Sequence, residues 1–167
     1  MKKYYRAFVV AFINAFFCGT HFFSLKRFLL KTAGMSIGTS TKIVGPLKIG
    51  KVVHLDIGDG CWIGADFTVH GNGTVHIGDN CDFGPEVSIL TGSHEIGTAE
   101  RRAGEGIAFT VTVGNGCWIG ARATIMGDTT IGGASVVAAC ALVNKDVEQS
   151  CVVGGVPAKL IKELKDE

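Results

Sequence analysis

The sequence predicts an all-β chain: a parallel β-helix of about five coils, preceded by a helical segment and followed by a short C-terminal helix. Three observations carry this. From Ile37 onward the chain divides into six-residue units, fifteen in all, and each opens with Ile, Val or Phe, from Ile37, Ile43 and Ile49 through to Val143. The second residue is commonly one of the chain's 24 glycines, and the fifth is usually small. The units also recur in threes: Ile37, Ile57 and Ile77 are evenly spaced, and Val113 and Ile131 follow at a slightly shorter interval. Such periodicity specifies a solenoid in which three units close one triangular coil.

Residues 1–36 read as a helical cap. The opening MKKYYRAFVVAFINAFFCGTHFF sets Lys2, Lys3 and Arg6 before an apolar run at 7–13, the order of a secretion signal. Asn14 interrupts that run, and no small-x-small cleavage site follows. The stretch to Phe23 contains Asn14, Thr20 and His21 and falls short of the ~20 apolar residues that span a bilayer. A second apolar stretch, 25–30, carries Lys26 and Arg27, with Lys31 next to it. Two short amphipathic helices are therefore expected to cap the stack, with peripheral membrane contact through residues 4–30 as a further expectation.

Residues 37–150 form the solenoid. Each unit is one short strand and a turn, with its branched apolar residue inward and glycine at position two tolerating the turn's dihedrals. Coils then stack at the ~4.8 Å strand spacing and fill the interior with ladders of Ile and Val. Cys61, Cys81 and Cys117 end the phrases GDGC, GDNC and GNGC, so they share one slot for a small core residue. With no CxxC pair, they read as thiols of a reducing, cytoplasmic compartment rather than a disulfide framework. Trp62 and Trp118 follow two of them and point outward, as subunit contacts do.

The pattern breaks once, in SILTGSHEIGTAERRAG. Periodicity stops at His94, and a polar, non-repetitive loop at 95–112 precedes its return at Val113. Loops on rigid scaffolds are where function concentrates. An imidazole with a pKa near ~6.5 accepts protons at physiological pH. His94 is the candidate catalytic base. No cluster of histidines surrounds it of the kind three-ligand zinc catalysis requires, so no metal is expected. A net charge of +1 without a basic stripe excludes a nucleic-acid partner. Residues 151–167 read as a C-terminal helix and tail.

The phrases IGDNC, TGSH, WIGA, VNKDV and GGVPAKLIKEL resemble the hexapeptide-repeat acyltransferases, the group of the maltose, galactoside, xenobiotic and colanic acid O-acetyltransferases, over residues 37–164. The resemblance implies a left-handed β-helix, a homotrimer with active sites between subunits, and acetyl-CoA as the acyl donor. It implies that His94 is the general base and that the backbone N–H of Ala121 is the oxyanion donor. Ala121 and Ala139 would meet the pantetheine arm. Asn144 and Lys145 fall on the family's Thr-Lys pair, and Lys159 and Lys162 on basic residues near the nucleotide. Asn144 replaces the family's Thr, and Cys140 stands where the family often has Gly.

On the acceptor side, Asp66 aligns with a sugar-contacting Asn, and Arg101 and Arg102 suit an anionic acceptor. The expected reaction moves acetyl to a hydroxyl of a sugar or polysaccharide precursor by direct attack in a ternary complex, since no triad accompanies Ser93. N-acetylation of an amino-sugar nucleotide is the alternative chemistry. A catalytically idle β-helix scaffold is the alternative class.

Overall fold

The computed structural model describes residues 2–165. Helix α1 (Lys2–Phe16) and helix α2 (Phe23–Thr32) precede the coils. Coil one holds β1 (Ser36–Ile37), β2 (Lys42–Ile43) and β3 (Leu47–Ile49), and coil two holds β4 (His54–Ile57), β5 (Trp62–Ile63) and β6 (Phe67–His70). Coil three holds β7 (Thr74–Ile77), β8 (Asp82–Phe83) and β9 (Ser88–Leu90). A hairpin of β10 (Gly92–Ile96) and β11 (Ala103–Ala108) intervenes. Coil four holds β12 (Thr110–Val113), β13 (Trp118–Ile119) and β14 (Thr124–Ile125), and coil five holds β15 (Thr129–Ile131), β16 (Val136–Val137) and β17 (Leu142–Val143). A partial sixth coil adds a bridge at Val147 and strand β18 (Cys151–Gly154).

Three parallel sheets make the faces of a left-handed prism. The first is β1-β4-β7-β12-β15, the second runs from β2 through β5, β8, β13 and β16 to β18, and the third is β3-β6-β9-β14-β17. The predicted inward positions hold. Fourteen of the fifteen unit-opening residues are buried, and Ile49 is half-buried against the core.

The glycines serve a different purpose from the one expected. Positive φ falls on the fourth residue of the units, as at Asp66, Asn80, Glu86, Arg122, Ala134 and Cys140. The second-position glycines lie where successive coils nearly touch. A Cβ on Gly120 would stand 2.5 Å from Ala139 N, and one on Gly64 2.7 Å from the backbone of Gly84. Closeness of backbones, not backbone dihedral, excludes a side chain there.

Length varies at one edge of the prism only. On the first face, Ile37 stacks on Ile57, Ile57 on Ile77, Ile77 on Val113, Val113 on Ile131 and Ile131 on Val147. The interval between partners is constant over the first two pairs, widens at the third to admit the hairpin, and narrows at each of the last two. Within each complete coil, the six-residue steps from first to second to third face never change. Every insertion therefore sits where the third face turns into the first, and the hairpin is the largest of them.

Helices α1 and α2 pack on the first coil, and polar residues explain how they seal it. Val9, Val10 and Ile13 of α1 and Leu30 of α2 join the core. The first coil leaves strand edges without a preceding coil, a liability for any sheet. Asn14 meets the edge of β3 as another strand would: Nδ2 donates to Leu47 O (2.7 Å) and Oδ1 accepts Leu47 N–H (2.8 Å). Lys26, fully buried, donates from Nζ to Gly19 O (2.8 Å) and Val44 O (3.0 Å). Arg27 donates to Thr41 O (2.8 Å). The polar interruptions of the apolar run are the seal.

The other end departs from expectation. Residues 159–163 are not a helix but strand β19 (Lys159–Glu163), which folds back antiparallel on β18 after a turn with Gly155 at φ +98°. KLIKE is too short to stand as a helix in water. The open edge of β18 offers its backbone groups a partner instead.

The cysteine slot is a column running the length of the second face: Thr41, Cys61, Cys81, Cys117, Ser135 and Cys151, all buried. Its thiols and hydroxyls tie coils together. Thr41 Oγ1 donates to Gly58 O (2.6 Å) and accepts Cys61 N–H (3.1 Å). Ser135 Oγ donates to Glu148 O (2.8 Å) and accepts Cys151 N–H (3.2 Å). Trp62 packs partly within its own chain, its ring 6.1 Å from Phe23 of α2, and is 37% exposed. Trp118, on the same face, is 58% exposed.

Candidate active site

The segment expected as an irregular loop is a two-stranded hairpin that begins earlier, at Gly92, and gives way to β12 at Thr110. Ser93 pairs with Ile107 and His94 with Gly106, before a bulge leads to Ile96 opposite Ala103. Thr91, fully buried, pins its root. Thr91 O accepts Phe109 N–H (2.8 Å), while Thr91 Oγ1 donates to His70 O (2.8 Å) and accepts Gly73 N–H (3.1 Å). His94 is exposed on this rigid base. A Cβ on Gly106 would stand 4.0 Å from the imidazole, so glycine leaves one side of the ring open. A cavity of about 350 Å3 lies there, lined by Asn72, Ser93, His94 and Ile107 with three glycines.

A second cleft, of about 450 Å3, runs along the third face between Lys48, Asp66, Thr68, His70, Glu86 and Ser88. Asp66 occupies a left-handed corner (φ +57°), its carboxylate 3.9 Å from Lys48 Nζ. His70 lines this cleft, and its neighbour Gly71 lines the His94 cavity, so the two meet at the hairpin's root. The sequence held a signal for this place of His70. The signal was the constant period of the early coils, which sets His70 beside Leu90, just before the hairpin.

Arg101 and Arg102 stand apart from both clefts, exposed at the hairpin's tip, where Arg102 folds back on Gly97 O (3.4 Å). On the first face the same period builds an unforeseen cluster: Asp56 Oδ2 lies 3.1 Å from both His54 Nε2 and His76 Nδ1.

Two of the residues assigned to the donor, Ala121 and Ala139, lie on a different edge, where the second face turns into the third. Ala121 and Ala139 stack one coil apart there, linked by Cys140 N–H donating to Ala121 O (2.9 Å). Among the described residues, neither the Ala121 nor the Ala139 N–H donates to an acceptor within the chain. Two unspent amide donors at the spacing of adjacent coils suit two acceptor oxygens of a ligand laid along the edge, the reacting carbonyl at Ala121 and an amide carbonyl of an extended arm at Ala139. Beside them Arg122 grips Glu86 through two bonds, Nε to Oε2 (3.0 Å) and Nη2 to Oε1 (3.1 Å). Those bonds hold the Glu86 carboxyl below its usual range.

Asn144, Lys145 and Lys159 come together around a cavity of about 270 Å3 between the last coil and β19. Lys162 projects from the same hairpin, exposed, outside that cavity. The cations assigned to the donor are thus gathered at one end of the prism.

Taken together, the geometry defines a hexapeptide-repeat solenoid carrying a histidine on one edge and free amide donors on another. The family model for bacterial transferase hexapeptide (six repeats) matches residues 110–145. Galactoside O-acetyltransferase of Escherichia coli (strain K12) is 31% identical over 138 residues, covering 83% of this chain and 68% of that protein. A hexapeptide-repeat acetyltransferase of Vibrio cholerae O1 biovar eltor, solved with acetyl coenzyme A, superposes with a TM-score of 0.84 at 28% identity, over 99% of this chain and 88% of that one. A galactoside acetyltransferase in complex with coenzyme A gives a TM-score of 0.76 at 25% identity, over 99% and 82%. The chain belongs to the hexapeptide-repeat acyltransferases. Its activity is acyl-CoA-dependent O-acetyl transfer, with acetyl-CoA as the donor.

Proposed function

We propose that this enzyme acetylates a hydroxyl of a sugar or polysaccharide precursor, with His94 as general base, in a homotrimer whose active sites lie between subunits. The observation that carries the reading is the separation of the two half-sites. His94 leaves the edge where the third face meets the first, whereas the Ala121 and Ala139 amides occupy the edge where the second meets the third. One chain therefore holds the base and the donor groove on opposite borders of a flat face, and a neighbouring copy brings them together. Trp118, exposed on the adjacent face, suits that packing.

The chemistry then runs in one ternary complex. The acceptor hydroxyl gives its proton to an imidazole nitrogen of His94 as its oxygen attacks the thioester carbonyl carbon. The Ala121 N–H donates to the resulting oxyanion. Collapse breaks the C–S bond, and the leaving thiolate takes the proton back from the imidazolium. Asp66, Ser88 and His70 offer the acceptor's remaining hydroxyls both acceptors and donors. Lys145 and Lys159, with Lys162 near them, suit the donor's phosphates. Cys61, Cys81 and Cys117 are free thiols, which fits work in the reducing cytoplasm.

The test is coenzyme A release from acetyl-CoA across sugars, amino sugars and nucleotide-sugars, wild type beside His94→Ala. Loss of a general base lowers turnover by roughly 10²–10⁴-fold, while acetyl-CoA still raises the melting temperature of both proteins. Turnover by His94→Ala within tenfold of wild type refutes the base. Release with amino sugars alone refutes the hydroxyl acceptor.

A further inference from the structure

We infer that the helical cap is a docking surface for anionic phospholipid membranes. Two independent features meet there. The first is the outer face of α1. A surface helix ordinarily turns charge toward water, yet after Lys3 every exposed residue of α1 is Tyr, Phe or Ala. Tyr4, Phe8 and Phe16 are 64%, 65% and 67% exposed. Phe8 stacks on Phe12, and Phe12 meets Phe16 with its ring tilted by 51°, in one stripe along the helix. Phe22 and Phe28 extend the apolar surface across to α2, 57% and 63% exposed. This is not the buried side, which is Val9, Val10 and Ile13.

The second feature is charge. Nine of the chain's 16 Lys and Arg lie before Asp56, and that Asp is the first acidic residue of the sequence. The near-zero net charge conceals +9 over residues 1–55, the cap with the first coil, and −8 over the rest. Lys3 and Lys51 flank the aromatic stripe, their Nζ atoms 5.3 and 6.0 Å from the Tyr4 ring. Lys31 and Lys42 are exposed on the same end of the prism.

Aromatic rings flanked by cations, on two helices that carry no carboxylate of their own, match the interfacial zone of a bilayer bearing anionic headgroups. A second copy docked cap to cap fits worse, since it would bring the same cations against these. Neither helix is long and apolar enough to cross a membrane. The cap would lie in the interface plane, the rings among the acyl-chain ends and the lysines at the phosphates.

The protein is mixed with vesicles of phosphatidylcholine alone, or with phosphatidylglycerol added, and sedimented over a salt series. Binding is expected to the anionic vesicles, weakening with salt, and much less to the neutral ones. Each basic residue at such a surface is worth about fivefold in partitioning. Lys3→Glu/Lys51→Glu should therefore weaken binding by at least tenfold. Phe8→Gln/Phe16→Gln, at positions open to solvent, should weaken it by at least as much without lowering the melting temperature. No partitioning onto anionic vesicles overturns the inference, as does equal binding by either variant. Dissociation of an assembly by Phe8→Gln/Phe16→Gln, with vesicle binding unchanged, would make the face a protein interface instead.

Discussion

The hairpin should be separable from the solenoid that carries it. Residues 92–108, seventeen in all, touch the prism chiefly through their root, where Thr91 O and Phe109 N–H are already 2.8 Å apart. Replacing them with Asn-Gly puts two residues between Thr91 and Phe109 and turns that bond into the closing bond of a β-turn. The loss is small. None of the hairpin's residues is buried, Ile107 is half-buried, and Ile96 is 88% exposed. Ile107 accounts for about 1–2 kcal/mol of apolar shielding. Shortening the closed loop from seventeen residues to two returns about 2 kcal/mol of chain entropy. The terms nearly cancel, and 1 kcal/mol moves the melting temperature of a chain this size by about 2–4 °C. The excised protein should melt within roughly 5 °C of wild type, keep its far-ultraviolet circular dichroism, and have no turnover. Failure to fold, or a melting temperature lower by about 15 °C, would refute the view of the hairpin as an independent insertion. Surviving turnover would refute His94.

Other consequences follow from single contacts. Asn14→Leu removes two hydrogen bonds and strands the buried N–H and C=O of Leu47, costing about 2–4 kcal/mol in urea unfolding; Asn14→Asp, which keeps an acceptor for the N–H, should fall between. Gly120→Ala forces coils four and five apart at Ala139 N, and overpacking of this kind costs about 1–3 kcal/mol; the thermal shift caused by coenzyme A should shrink with it. Ser135→Ala breaks the column's bonds to Glu148 O and Cys151 N–H and should cost about 1–2 kcal/mol, whereas Ser135→Cys, matching its neighbours, should cost less. The Glu86 carboxyl is held below 4.5 by Arg122, so its contribution is full above that value and is lost as the pH falls through the lower, folded-state value. The melting difference between wild type and Glu86→Gln should accordingly be constant near neutrality and close as the solution is acidified below pH 4.5.

What the sequence disclosed was whatever repeats. Ile37 to Val143 announce the strands because each sits in the same environment as its counterpart one coil away. The position of His94 was legible as the one interruption of that rule. What stayed hidden depends on contacts that occur once. KLIKE reads as a helix until the bare edge of β18 is present to pair with it. Asn14 and Lys26 look like faults in an apolar segment until the open strand edges of the first coil are set beneath them. Thr41, Ser135 and Cys151 belong to the cysteine column, but one is a different residue type at its start and the others lie beyond changes in coil length. The role of His70 and the meeting of Asp56 with two histidines come from stacking between one coil and the next, visible only when the coils are superposed.

The restriction of all length changes to one edge of the prism has a consequence for how such an enzyme can diversify. The hairpin and the acceptor cleft's mouth share the variable edge, while the amides of Ala121 and Ala139 sit on an edge whose spacing never alters. Residues can be gained, lost or exchanged at the first without shifting the second by even one position. With the proposed roles, recognition of new acceptors is uncoupled from the amides that meet the donor, and a foreign hairpin grafted between Thr91 and Phe109 leaves Ala121 and Ala139 in register.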